Sequence, residues 1–208
     1  DALSPKDLRD IWLLAHGQKL ANKFLLTSVF TSISDRYQAC AAGFGKGRCI
    51  AELTMASHGS ISLANKQRRN LYVLYVDLSK CFMSFSRVVA LQVMKIHGLP
   101  PEAATAWWGM YGGGIEGVFE TAYGSSGWFK ILRGLIQGAI ESPEFCKCLV
   151  NTIAEWVGLK IVGFSLFHPD GSPAQISQLI FADDAAGFCG EFSMLQRLAR
   201  FWSLWAWI

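Results

Sequence analysis

The chain has 208 residues, half of them hydrophobic, enough for one large domain or two small lobes around a sizeable core. Nineteen Lys and Arg against sixteen Asp and Glu leave a net charge of +3, a slight lean toward an acidic partner that does not by itself mark a nucleic-acid binder. No apolar stretch reaches the roughly 20 residues of a membrane helix, no signal peptide is visible, and the six cysteines form no CxxC pair or His/Cys cluster, which argues against a membrane partner and against zinc.

In chain order, residues 4–34 read as mostly helical: Leu20, Phe24 and Leu25 recur at helical spacing behind a Ser4-Pro5 start. Residues 38–48 are loop-like, with Gly43, Gly45 and Gly47 around Phe44, Lys46 and Arg48. A helix over 49–66 ends in the polar run Lys66 to Asn70. Leu71 to Leu78 (LYVLYVDL) is short and almost uniformly apolar, the pattern of a central buried strand, and its only charge is Asp77. Helices are expected over 86–97 and 102–111, separated by Gly98-Leu99-Pro100-Pro101, with a glycine turn at 112–114. Segments 115–122 and 127–133 read as paired strands, Gln137-Gly138 as loop, and 142–157 as a helix opened by Ser142-Pro143. A hairpin follows, with strands over 175–182 and 185–189 and a tight turn at Asp183-Asp184, and the last helix starts near Ser193. Helices come first and mixed strands and helices later, which favours an α+β fold over a doubly wound sheet. The apolar run from Phe201 to Ile208, with Trp202, Trp205 and Trp207, needs a further surface to cover it; together with a start at Asp1, it reads as a fragment of a longer protein. The cysteines read as reduced thiols of an intracellular protein.

Three acids carry the chemistry. A carboxylate closing an apolar strand is unfavourable unless paired or bound to a metal, although Asp77 alone is equally a helix cap or a surface residue. Phe181-Ala182-Asp183-Asp184 sets two adjacent carboxylates between apolar flanks, Leu179 to Phe181 on one side and Gly187-Phe188 on the other. A solvated Asp-rich turn is the alternative, but such flanks bury at least one face of the hairpin and set the pair at the rim of a core. Strands side by side would bring Asp77 next to Asp183, and three converging carboxylates require cations. Two Mg²⁺ ions, with Mn²⁺ as the substitute, suit such hard oxygen donors.

These residues resemble a known family. Asp77-Leu78-Ser79-Lys80-Cys81-Phe82 is similar to the first catalytic motif of reverse transcriptases of the non-LTR retrotransposon type, and Phe181-Ala182-Asp183-Asp184 to their second, with Phe for the more usual Tyr. Between them, Arg133-Gly134-Leu135-Ile136-Gln137-Gly138 followed by Ser142-Pro143 resembles the nucleotide-site motif. Gln38, Gly43-Phe44 and Gly47-Arg48 resemble the fingers motif, and Leu8-Arg9-Asp10-Ile11 the first fingers motif. The resemblance implies a right-hand polymerase with fingers over 1–70 and a mainly antiparallel palm sheet flanked by helices over 71–208, without a thumb. It implies an RNA-directed DNA polymerase that adds dNTPs to a DNA primer on an RNA template, in the nucleus.

Carried over residue by residue, it makes Asp77, Asp183 and Asp184 catalytic acids and metal ligands, with the Leu78 carbonyl as a backbone ligand. Phe82 becomes the ring that rejects a 2′ hydroxyl, with a plain core ring as the alternative. Gln137 lines the incoming nucleotide, with a loop amide capping the next helix as the alternative. Arg9 and Arg48 meet the triphosphate, with solvated loop arginines as the alternative. Two departures stand out: Met83 where the family often has Asp, and Ala139-Ile140-Glu141 beside the nucleotide loop, where Glu141 adds charge. An RNA-dependent RNA polymerase, which Phe82 argues against, and an inactive nucleic-acid-binding module are the rival readings.

Overall fold

A computed structural model describes residues 13–30, 33, 37–43, 47–78, 80–167 and 170–207. Arg9 and its motif, Phe44, Gly45, Lys46 and Ser79 lie outside the described residues. Helix α1 (His16–Leu25) runs into a π-helical turn (Leu26–Phe30), and α2 spans Ile50–Gln67. Strand β1 (Tyr72–Asp77) leads to a single helical turn α3 (Cys81–Ser84) and then to α4 (Arg87–Ile96) and α5 (Pro101–Tyr111). Short strands β2 (Ile115–Gly117), β3 (Glu120–Thr121), β4 (Gly124–Ser125) and β5 (Phe129–Ile131) form a nested antiparallel arm. Helix α6 (Ser142–Lys160) follows, then the hairpin β6 (Phe164–Phe167) and β7 (Pro173–Ile176), the hairpin β8 (Gln178–Phe181) and β9 (Asp184–Cys189), and α7 (Phe192–Ala206).

The central sheet has the order β1-β9-β8, all antiparallel. Alternation along its strands sorts side chains into two cores. Leu74, Val76, Ile180, Ala185 and Cys189 face α6 and α7 and join the larger core, whose centre is Phe145, Ile153, Val157 and Leu198. Val73, Leu179, Phe181, Ala186 and Phe188 face the other way, onto Leu53 and Ala64 of α2 and onto Phe164 and Ile176. Leu198 presses so closely on the sheet that a methyl at Gly187 would lie 2.2 Å from its Cδ2, so α7 packs directly over the glycine and a larger residue there would displace the leucine side chain. The fold is α+β, with antiparallel sheets among helices.

Several expectations change. Strand β1 is an edge strand and β9 the central one, because the segment paired to β1 is the return arm of the terminal hairpin. The expected strand over 175–182 is two strands, broken at Ser177, whose carbonyl accepts from Phe188 N–H at 2.9 Å. Its first part pairs with Phe164–Phe167, a strand not expected from the sequence. In α1, Leu20 and Phe24 are exposed; the buried residue is Asn22, whose amide donates to the Tyr111 hydroxyl at 2.6 Å.

Candidate active site

The three acids gather at one end of the central sheet. Asp77 is the register partner of Asp184, and Asp184 is that of Phe181. The hairpin therefore turns on two residues, Ala182 and Asp183, and Ala182 takes a left-handed φ of 58°. A two-residue turn with its first residue left-handed has the twist that joins antiparallel strands, and glycine usually fills that position. The expected neighbour of Asp77 was Asp183; across the strands it is Asp184, because the turn absorbs Asp183. The Leu78 N–H still reaches back to the Asp183 carbonyl at 3.3 Å.

Asp77 and Asp184 open onto a groove of about 410 Å³ between the sheet and α2, lined also by Leu53, Ser57, His58, Tyr75 and Phe181. Asp183, in the turn itself, lies near the thiol of Cys146, whose sulfur is 3.7 Å from that of Cys81. Contact with Cys81 and burial push the Cys146 thiol up, and the nearby Asp183 carboxylate adds to the shift. Among the described residues no three His, Cys, Asp or Glu side chains gather into a metal-holding group. The donors that fit a hard cation are the facing pair Asp77 and Asp184, with Asp183 one residue away. The Leu78 carbonyl also accepts from Cys81 N–H at 3.2 Å and keeps one lone pair. None of the ion pairs among the described residues uses these aspartates.

The first motif and the nucleotide-site motif are bound together through their backbones. Leu135 N–H donates to the Phe82 carbonyl at 2.6 Å and Gly134 N–H to the Phe85 carbonyl at 2.9 Å. Gly134 is left-handed at φ 87°, and a methyl there would lie 2.7 Å from the Met83 carbonyl oxygen, so the position admits only glycine. Phe82 is half-buried at the edge of the larger core. Gln137 is half-exposed, and its side chain has no hydrogen-bond partner among the described residues; Glu141, not Gln137, occupies the cap position of α6. Arg48 donates to the Ala39 carbonyl at 2.6 Å and pairs with Glu52 at 3.1 Å, both at the surface.

Glu141 corrects an expectation. It does not stand on the face of the nucleotide loop: it is buried and accepts a hydrogen bond from the Tyr111 hydroxyl. Burial pushes its carboxyl above the ordinary glutamate range, and Oε2 has no partner among the described residues.

Sequence reasoning also missed Arg87 and the contact that Gly43 makes. The segment 40–42 lies beside β8: Ala42 N–H donates to the Ile180 carbonyl at 2.9 Å, and Ile180 N–H to the Cys40 carbonyl at 2.8 Å. Gly43 then packs on the Ala182-Asp183 turn so closely that a methyl would sit 2.1 Å from Ala182 N. The Gly-Phe pair was legible as part of a motif, but not its contact. Arg87 stands in the first turn of α4, where the helix dipole disfavours a cation, and that conflict was the signal available.

Comparisons with known proteins follow the same line. The model of the family described as Reverse transcriptase (RNA-dependent DNA polymerase) matches residues 4–205. Among solved structures, the fold is similar to telomerase from Candida albicans in complex with a fragment of telomeric RNA, at TM-score 0.57 and 13% identity over 88% of this chain and 31% of that one. It is also similar to apo telomerase from Candida tropicalis truncated from its C-terminal domain, at TM-score 0.53 and 12% identity over 90% of this chain and 36% of that one. The chain thus spans about a third of those structures. No curated protein matches its sequence. No helix among the described residues is long and apolar enough to cross a membrane.

Proposed function

Because the chain belongs to the reverse transcriptase family, we propose that it is the fingers-palm part of an RNA-directed DNA polymerase of the non-LTR retrotransposon type, with the fingers over 1–70 and the palm over 71–208. It adds deoxynucleotides to a DNA primer paired with an RNA template. The observation that carries the reading is the facing of Asp77 and Asp184 at the sheet end, within a few residues of two backbone bonds that join the first motif to the nucleotide-site motif.

Asp77, Asp183, Asp184 and the free lone pair of the Leu78 carbonyl would hold two Mg²⁺ ions, or Mn²⁺. When bound, such ions lower the pKa of the attacking hydroxyl and neutralise the charge of the leaving pyrophosphate. The protein's own part is positioning. The carboxylates fix where the primer end and the phosphates meet. The Phe82 ring crowds the sugar edge against a 2′ hydroxyl, and Gln137 offers an unengaged amide to the incoming nucleotide. Arg48 would leave its pair with Glu52 to reach the phosphates, and Arg9 would join it. The parent protein supplies a thumb and further domains and works in the nucleus.

Primer extension by the full-length parent tests this: extension on an RNA template with dNTPs and Mg²⁺, abolished by Asp77→Asn, is the expected result. A rival reading, a non-catalytic nucleic-acid-binding module, draws support from the absence of a three-acid cluster among the described residues and from Met83. Binding of primer-template without any extension would establish it.

A further inference from the structure

A buried arginine without a carboxylate is an expensive arrangement, and Arg87 is one. Only 4% of it is exposed, and it sits at the helix end least hospitable to a cation. Among the described residues its guanidinium is met by backbone carbonyls alone. Nε donates to Gly134 at 2.8 Å, Nη1 to Tyr111 at 2.9 Å and to Ile131 at 2.9 Å, and Nη2 to Arg133 at 3.3 Å. The nearest candidate for a counter-charge, Glu141, lines the same small cavity but is engaged by the Tyr111 hydroxyl.

Three of those four carbonyls belong to residues 131–134, the approach to the nucleotide-site motif. The same stretch is tied back to the Asp77 segment by the Gly134–Phe85 and Leu135–Phe82 bonds. The planar fork of an arginine can reach several carbonyls at once, which the point charge of a lysine cannot. Neither motif includes Arg87, yet it lies where both are clamped.

We propose that Arg87 is the positioning residue that fixes the loop 131–138 against the segment 82–87, and so sets the distance between Phe82 and Gln137 across the incoming nucleotide. The inference rests on the polymerase reading for the roles of Phe82 and Gln137. Met83 gives it added weight: the first motif lacks an acid there, and Gly134 lies directly against the Met83 backbone. The clamp therefore depends on backbone bonds and on Arg87.

The test uses the full-length parent, with Arg87→Lys and Arg87→Met. Single-nucleotide addition is measured over a range of dNTP and of the matching ribonucleotide, beside amide exchange of residues 131–136. The expected result for Arg87→Lys is a KM for dNTP raised about tenfold with kcat changed much less, a lower preference for deoxy over ribo substrate, and faster exchange at Gly134 and Leu135. Arg87→Met should move the same readouts further. A merely structural role would lower the melting temperature without splitting KM from kcat or altering sugar preference, and that pattern overturns the inference. A wild-type parent that adds no nucleotide overturns the polymerase reading and this inference with it. A wild-type parent that polymerises beside an Arg87→Lys variant of unchanged KM and unchanged exchange overturns this inference alone.

Discussion

Two carboxylates set directly across an antiparallel pair repel each other, by roughly 0.2–1 kcal/mol for exposed groups. Asp77 and Asp184 are such a pair. Replacing Asp184 by Asn should therefore raise stability by a few tenths to about 1 kcal/mol without divalent ions. Millimolar Mg²⁺ should narrow that gap, because it screens the wild-type pair and not the variant; thermal melts with and without Mg²⁺ check both statements. Under the proposed function the same change should lower nucleotide addition on the order of 100-fold or more. Glu141 titrates in the opposite sense to a salt-bridged acid. Its folded value is raised by burial, so the folded state holds a proton that the unfolded state releases. Its contribution to stability is complete below the unfolded value of about pH 4.3 and is lost as pH rises through the raised folded value. Glu141→Gln should flatten that part of the stability–pH curve and stabilise the protein at neutral pH, as read by denaturant titration across pH. Phe82→Ala, in an active parent, should increase ribonucleotide use more than it lowers deoxynucleotide use; unchanged selectivity would make the ring ordinary core.

At the scale of elements, the Ala182-Asp183 turn is held from behind. Segment 40–42 bonds to β8, Gly43 fills the space beside Ala182, and the buried side chain of Asn151 in α6 accepts from Gln38 N–H at 2.7 Å. A methyl at Gly43 must push the turn away. Gly43→Ala should cost about 1–3 kcal/mol by overpacking and, if the turn carries the acids of a polymerase, reduce nucleotide addition by about 100-fold. An activity loss with an unchanged melting temperature would show that the turn yields rather than the core. The same elements show what the residues disclosed before any coordinates. The helices at Ile50–Gln67, Arg87–Ile96, Pro101–Tyr111 and Ser142–Lys160 follow from apolar spacing, caps and proline stops, and were legible to within a few residues. The hairpin beneath the acids was legible because alternation and an Asp pair coincide there. Strand order was not: β1 reads as central since apolar residues fill both its faces, and only long-range pairing tells an edge from a centre. Which acid stands across from Asp77 depends on the turn length, which the flanking residues alone do not dictate. Arg87 was invisible because its partners are carbonyls, and every residue has one.

The whole molecule carries +3, little charge with which to hold a nucleic-acid backbone. Binding of residues 1–208 to primer-template should be weak and should fall steeply between about 50 and 200 mM salt, with at most single-nucleotide addition; filter binding and extension assays check this. Tight, salt-tolerant binding with long products would refute it. On α7, Leu198, Trp202 and Trp205 are buried, while Leu204 and Trp207 stay exposed, so one face is covered and another is open. The edge position of β1 has a further consequence, in the order of synthesis. Tyr72 to Asp77 leave the ribosome about a hundred residues before the strand that pairs with them, and at roughly 5–20 residues per second that is a wait of about 5–20 s. A hairpin such as β8–β9 closes within about 1–10 μs of being made. During the wait, Tyr72 to Val76 is an uncharged, β-prone stretch with no strand beside it, the kind of segment that pairs with other nascent chains. Lys66, Arg68 and Arg69 stand immediately upstream, where like charges keep such copies apart. Exchanging Lys66 and Arg68 for Ser should therefore lower the yield of soluble protein during translation and leave the melting temperature of the finished fold unchanged.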